Sequence, residues 1–83
     1  MTDDFVLALQ NRLRALAEEQ RKRHARHAPG ITRRKLLDMA AKQEQQRIQL
    51  LAEREEEAGN AGQAKQYRQL AEAIAAVAAE MDP

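Results

Sequence analysis

Glycine and proline, the residues that most reliably stop a helix, occur at only two interior places in this chain: Pro29-Gly30 and Gly59-Asn60-Ala61-Gly62. Elsewhere the sequence is dominated by Ala, Leu, Glu, Gln, Arg and Lys, all strong helix formers. Val, Ile, Thr and aromatic residues are scarce, and no stretch alternates apolar and polar with a period of two. Three helical segments joined by two turns are what such a chain can form.

Apolar spacing fills in the segments. Thr2 followed by Asp3 and Asp4 reads as an N-terminal cap with acids at the favoured end of the helix dipole. Val6, Leu9, Leu13 and Leu16 then recur at intervals of three and four, with Phe5 beside them. That stripe ends near Ala17, although nothing stops the helix before Pro29. In the second segment Leu37, Ala41, Ile48, Leu51 and Ala58 share a face, with Leu36, Ala40 and Leu50 alongside and Thr32 placed to cap it. Its centre, KQEQQR over residues 42–47, is polar nearly all round. Glu44 falls on the apolar stripe itself, where a charge needs a partner or water. The third segment has the cleanest pattern, with Tyr67, Leu70, Ile74, Val77 and Met81. The expected fold is an all-α, antiparallel three-helix bundle in one domain. Its helices run over about 3–27, 33–58 and 62–81, forming a long hairpin of the first two plus a shorter third.

At 83 residues the core is small, and with no cysteine it has neither disulfide nor thiolate metal site to staple it. The opening MTDDFVLALQNR is acidic and soon interrupted by polar residues, unlike a signal peptide, and no apolar run reaches the ~20 residues of a membrane span. A cytoplasmic protein is therefore expected, and the Ala- and Arg-rich usage suggests a GC-rich bacterial source. There is no serine, and both threonines, Thr2 and Thr32, sit at expected caps, so nothing supplies a nucleophile beside a base. His24 and His27 are too few for a metal site and lie among cations. Glu53, Glu55, Glu56 and Glu57 fan around a helix instead of converging. The expectation is a non-enzymatic protein with no cofactor and no metal.

Residues 55–70, EEEAGNAGQAKQYRQL, with Gly59 followed by Ala64, Tyr67 and Ala71, resemble a tetratricopeptide helix pair. The motif's proline and a second repeat are absent, so the resemblance implies a closely packed helical hairpin and no function.

The net charge of +1 conceals a division. Residues 1–42 carry ten bases and five acids, whereas residues 43–83 carry four bases and eight acids. The bases concentrate in RKRHARHAPGITRRK, residues 21–35. Arg21, Lys22, Arg23 and Arg26 complement the negative end of the first helix dipole. Arg33, Arg34 and Lys35 open the second helix with the charge its dipole disfavours. Folding about residue 30 sets Leu36 and Leu37 opposite Arg23 and His24, beyond the apolar stripe of helix 1 and past the expected reach of helix 3. Leu36, Leu37 and Met39 are thus expected to lack cover unless Arg and Lys stems, a second copy of the chain or another macromolecule provides it.

The favoured reading is a protein-binding module, an adaptor, inhibitor or regulatory subunit. Its contact edge is Arg21, Arg23, Arg26, Arg33, Arg34, Lys35, Leu36, Leu37 and Met39, and its partner a protein with an acidic surface. A homodimer would bury the same leucines. The alternatives are an accessory protein gripping nucleic-acid phosphates with this cluster, and a structural subunit of a helical assembly. With no aromatic residue in the cluster, any nucleic-acid contact would position rather than read sequence.

Overall fold

In a computed structural model that describes residues 3–27 and 30–83, the chain forms three α-helices: α1 (Asp3–His24), α2 (Arg33–Glu57) and α3 (Ala61–Glu80). The expected Thr2 cap and the backbone of Pro29 lie outside the described residues. The architecture is the all-α three-helix bundle expected. Its antiparallel sense is visible in the cross-links between α2 and α3. Arg34 bonds the carbonyl of Ala78, Gln45 that of Ala71, and Arg68 pairs with Glu56, so each step back along α3 is a step forward along α2.

Thr32 caps α2 as its sequence position predicts: it is extended (φ −74°, ψ 158°), and its hydroxyl accepts from the Lys35 N–H at 3.1 Å. The far end of α2 closes in a Schellman motif. The Asn60 N–H reaches back to the Glu55 carbonyl at 2.8 Å and the Gly59 N–H to Glu56 at 3.0 Å, which requires Gly59 at φ +83°. Helix α1 stops at His24, three residues short of the expected end, and residues 25–27 form a turn. Beyond Ala17 the helix has almost no apolar face to pack, so its last turn lacks the tertiary support on which short helical stretches depend.

Packing is densest between α2 and α3, less between α1 and α2, and sparse between α1 and α3. Alanines at 40, 41, 52, 64, 71 and 78 are buried, and their small side chains let the α2 and α3 backbones approach closely. The main cluster joins Leu13 of α1 with Leu37, Ala41 and Ile48 of α2 and Ala71, Ile74, Val77, Ala78 and Met81 at the end of the chain. The body measures 45 × 28 × 15 Å, with a radius of gyration of 14.2 Å. A compact domain of this length would have about 12 Å, so the molecule is elongated and its two ends are well separated.

The polar centre of α2 is bridged to α1 through Glu44. This carboxylate is only 4% exposed and lies between two guanidiniums. Arg12 of α1 donates to its Oε2 at 3.2 Å, and Arg47 of α2 donates to Oε1 through Nε at 3.0 Å and through Nη2. Nearby, the Gln20 amide of α1 donates to Gln43 Oε1 at 2.7 Å. Among the described residues no buried side-chain nitrogen or oxygen lacks a partner.

Burial would raise the Glu44 pKa, but the hydrogen bonds and charges of Arg47 and Arg12 outweigh it and hold the carboxyl below its ordinary value near 4.5. A depressed folded-state value means that this site stabilises the fold above pH ~4.5 and loses that contribution as pH falls through the lowered pKa. Replacing Glu44→Gln is expected to cost about 1–3 kcal/mol at neutral pH and to flatten the acid limb of a stability–pH curve measured by urea denaturation. Gly59→Ala is expected to cost about 1–2 kcal/mol, read as a lower Tm. Because a Cβ there would meet no atom within 4 Å, that loss is conformational, and Gly59→Asn should recover part of it.

Candidate functional site

Helix polarity brings the basic stretch to one end of the long axis. The last turn of α1 carries Arg21, Lys22, Arg23 and His24, the following turn Arg26 and His27, and α2 opens with Arg33, Arg34 and Lys35. At the opposite end, α1 begins with Asp3 and Asp4 while α2 finishes with Glu53, Glu55, Glu56 and Glu57. Apart from Arg54 in the last turn of α2, the two ends of the α1–α2 hairpin therefore carry opposite charge.

The nine residues expected to make the contact edge divide into distinct roles. Leu36 and Leu37 are not uncovered: they are 6% and 3% exposed, correcting the expectation that they lack a partner within the chain. Two causes combine. On the α1 side Ala17, Glu18 and Arg21 line the same cleft as the leucines, and Arg23 and His24 do not. From the other side Met81, itself 5% exposed, reaches past the end of α3 into the cluster containing Leu37. Met39 is half-buried.

Arg34 explains part of the misplaced charge. Its guanidinium donates from Nη1 to the Met81 carbonyl at 2.9 Å and from Nη2 to the Ala78 carbonyl at 2.7 Å, and it also binds Asp38 Oδ1 at 3.0–3.2 Å. These carbonyls belong to the terminus of α3, which has no basic residue in its own last turn. The Ala78 carbonyl also accepts the Met81 N–H at 3.3 Å, so Arg34 is its second donor, and the end of α3 thus takes from α2 the cation that its dipole favours.

Arg21 is likewise committed. Its Nε donates to Glu18 at 3.0–3.1 Å, a bond that raises the Arg21 pKa and lowers that of Glu18. By contrast, among the described residues Lys22, Arg23, Arg26, Arg33 and Lys35 have no carboxylate partner, and all five are exposed.

A cleft of about 380 Å³ opens beside this cluster, where the second half of α1, the start of α2 and the end of α3 meet. Ala17, Leu36, Leu37 and Met81 give it an apolar floor. Arg14, Arg33 and the Arg21–Glu18 pair form its walls, and Asp82 and Pro83 its rim. Arg14 is missing from the sequence-derived edge, yet it lies two helical turns before Arg21 and so on the same face, a spacing that could have identified it. Arg23, Arg26, Lys35 and Met39 are outside the cleft lining.

No group of three or more His, Cys, Asp or Glu side chains among the described residues is arranged to hold a metal ion, and none of the helices is long and apolar enough to cross a membrane. The chain matches no protein-family model, no curated protein and no solved structure, so its function has to be read from its own surface.

The division of labour among neighbouring cations is testable. Arg34→Ala is expected to destabilise the fold by about 1–2 kcal/mol, because it removes the side-chain donor from the Met81 carbonyl and leaves the Ala78 carbonyl with the Met81 N–H alone. Arg33→Ala and Lys35→Ala should fall within about 0.5 kcal/mol of the parent, or slightly above it as the first turn sheds an unfavourable charge. Parallel urea melts of the three variants measure the difference.

Proposed function

We propose that this protein is a small, non-enzymatic helical binding module whose basic corner engages an acidic surface on another protein. The observation that carries the reading is that five exposed cations without carboxylate partners among the described residues, Lys22, Arg23, Arg26, Arg33 and Lys35, gather at one end of an elongated body. Surface charge is ordinarily interspersed with its opposite. Here the like charges repel one another, and the helix dipole opposes those that begin α2.

An acidic partner removes that repulsion and is drawn in at long range, which raises the association rate more than the final affinity. The role that fits is an adaptor, inhibitor or regulatory subunit. Arg34, held by α3 and Asp38, contributes chiefly to the shape of the corner, as do the buried Leu36 and Leu37. The competing reading is a phosphate grip on nucleic acid. The corner has no aromatic side chain for base stacking, since the chain's only Phe and Tyr are Phe5 and Tyr67.

Affinity capture from the source cell distinguishes these readings, using nuclease-treated extract and the triple variant K22E/R23E/R26E as control. The expected result is a defined protein retained after nuclease and reduced at least tenfold by charge reversal. Capture that disappears with nuclease transfers the site to nucleic acid, and binding should then fall with salt at a log–log slope of about −0.9 per duplex phosphate contacted. Capture indifferent to charge reversal sinks the proposal.

A further inference from the structure

We infer that the cleft at the basic corner receives a short segment of the partner protein that carries an acidic residue close to a bulky apolar one. This rests on the protein-binding reading above and narrows it from a charged surface to a sequence class.

The cleft's two chemistries are spatially distinct. Its floor is apolar and held by the core: Leu36, Leu37 and Met81 are each no more than 6% exposed, and Leu37 and Met81 belong to the main hydrophobic cluster. Such a floor offers a fixed surface from which an entering apolar side chain displaces water. Two cations stand on the walls, Arg14 from α1 and Arg33 from α2, and among the described residues neither has a carboxylate partner. The third wall cation, Arg21, is already neutralised by Glu18.

The positive charge left free in the cleft is therefore that of Arg14 and Arg33, whose planar guanidinium forks suit a carboxylate. Asp82 also lines the cleft and offsets part of that charge, so the two arginines exceed the free acid there by one. An acidic residue held by these arginines leaves the apolar floor for its neighbour.

Size limits the occupant. About 380 Å³ is near the lower end of the ~300–1,000 Å³ of ligand pockets, so the cleft holds one or two side chains. A phosphate backbone would satisfy the arginines but leave the floor empty. Lys22, Arg23, Arg26 and Lys35, outside the lining, add the long-range attraction that brings an acidic segment to the cleft.

The test is titration of the isotope-labelled full chain with the blocked hexapeptide acetyl-Gly-Glu-Glu-Leu-Phe-Gly-amide, followed by NMR at low salt. Three comparison ligands accompany it: the same peptide with Gln for Glu, the same peptide with Ser for Leu and Phe, and hexaglutamate. The expected result is saturable shift changes at Ala17, Leu36, Leu37 and Met81. Affinity should fall at least tenfold for each comparison ligand and for the double variant R14Q/R33Q, whose thermal melt confirms that it is folded.

If the Ser-substituted peptide or hexaglutamate binds equally well, with shifts confined to Arg23, Arg26 and Lys35, the cleft assignment is overturned while the basic corner survives as an acidic-protein site. If no acidic ligand binds and a thymidylate dodecamer does, both the cleft assignment and the protein-binding reading fall. Equal binding by R14Q/R33Q overturns the assignment even where the peptides rank as expected.

Discussion

The placement of α1 depends on a carboxylate that is almost out of water. Helix α1 has little apolar surface beyond Ala17 and meets α3 far less than it meets α2, so its register is set mainly against α2. Leu13 supplies depth in the core, but a helix anchored by few large side chains can slide by a turn at modest cost. Glu44 penalises that slide. Buried and charged, it needs both Arg12 and Arg47, and displacing α1 by one turn would take Arg12 away. An ion pair of this kind adds little net stability over an apolar replacement, so its contribution here is to specificity. The cleft inherits that specificity, because Arg14, Ala17 and Arg21 stand over Leu36 and Leu37 only in this register.

Much of this was legible in the sequence because the relevant physics is local. The three-four spacing from Tyr67 to Met81 identifies the packed face of α3, and Gly59 and Thr32 mark a helix end and a helix start. Glu44, standing on an apolar stripe, announces that it must be paired. What could not be read was what covers Leu36 and Leu37. Counting residues outward from Pro29-Gly30 sets Arg23 and His24 opposite them, whereas the α1 side chains lining the cleft with them are the earlier Ala17, Glu18 and Arg21. The reach of Met81 past the end of α3 is equally invisible to such a count, and so a covered surface looked open.

Arg34 failed to be read for a different reason. In sequence it is one of three cations opening a helix with the wrong sign, and all three look alike. In space one of them faces the carbonyls at the end of another helix, 44 and 47 residues away in the chain. A rule that is local to one helix was broken to satisfy the same rule in its neighbour. No pattern within α2 distinguishes Arg34 from Arg33 or Lys35, and only the meeting of α2 with the end of α3 does so.

The position of Met81, Asp82 and Pro83 has a practical consequence for handling the molecule. Met81 packs in the cluster containing Leu37 and all three line the cleft, so a tag or fluorophore joined after Pro83 would emerge beside the candidate site. A label ahead of Asp3 starts from the acidic end, separated from the cleft-lining Arg14 and Arg21 by about 17–27 Å of helix. The two attachment points are therefore not interchangeable. A probe at the first reports on occupancy of the corner and can obstruct it, whereas immobilisation through the second presents the corner outward.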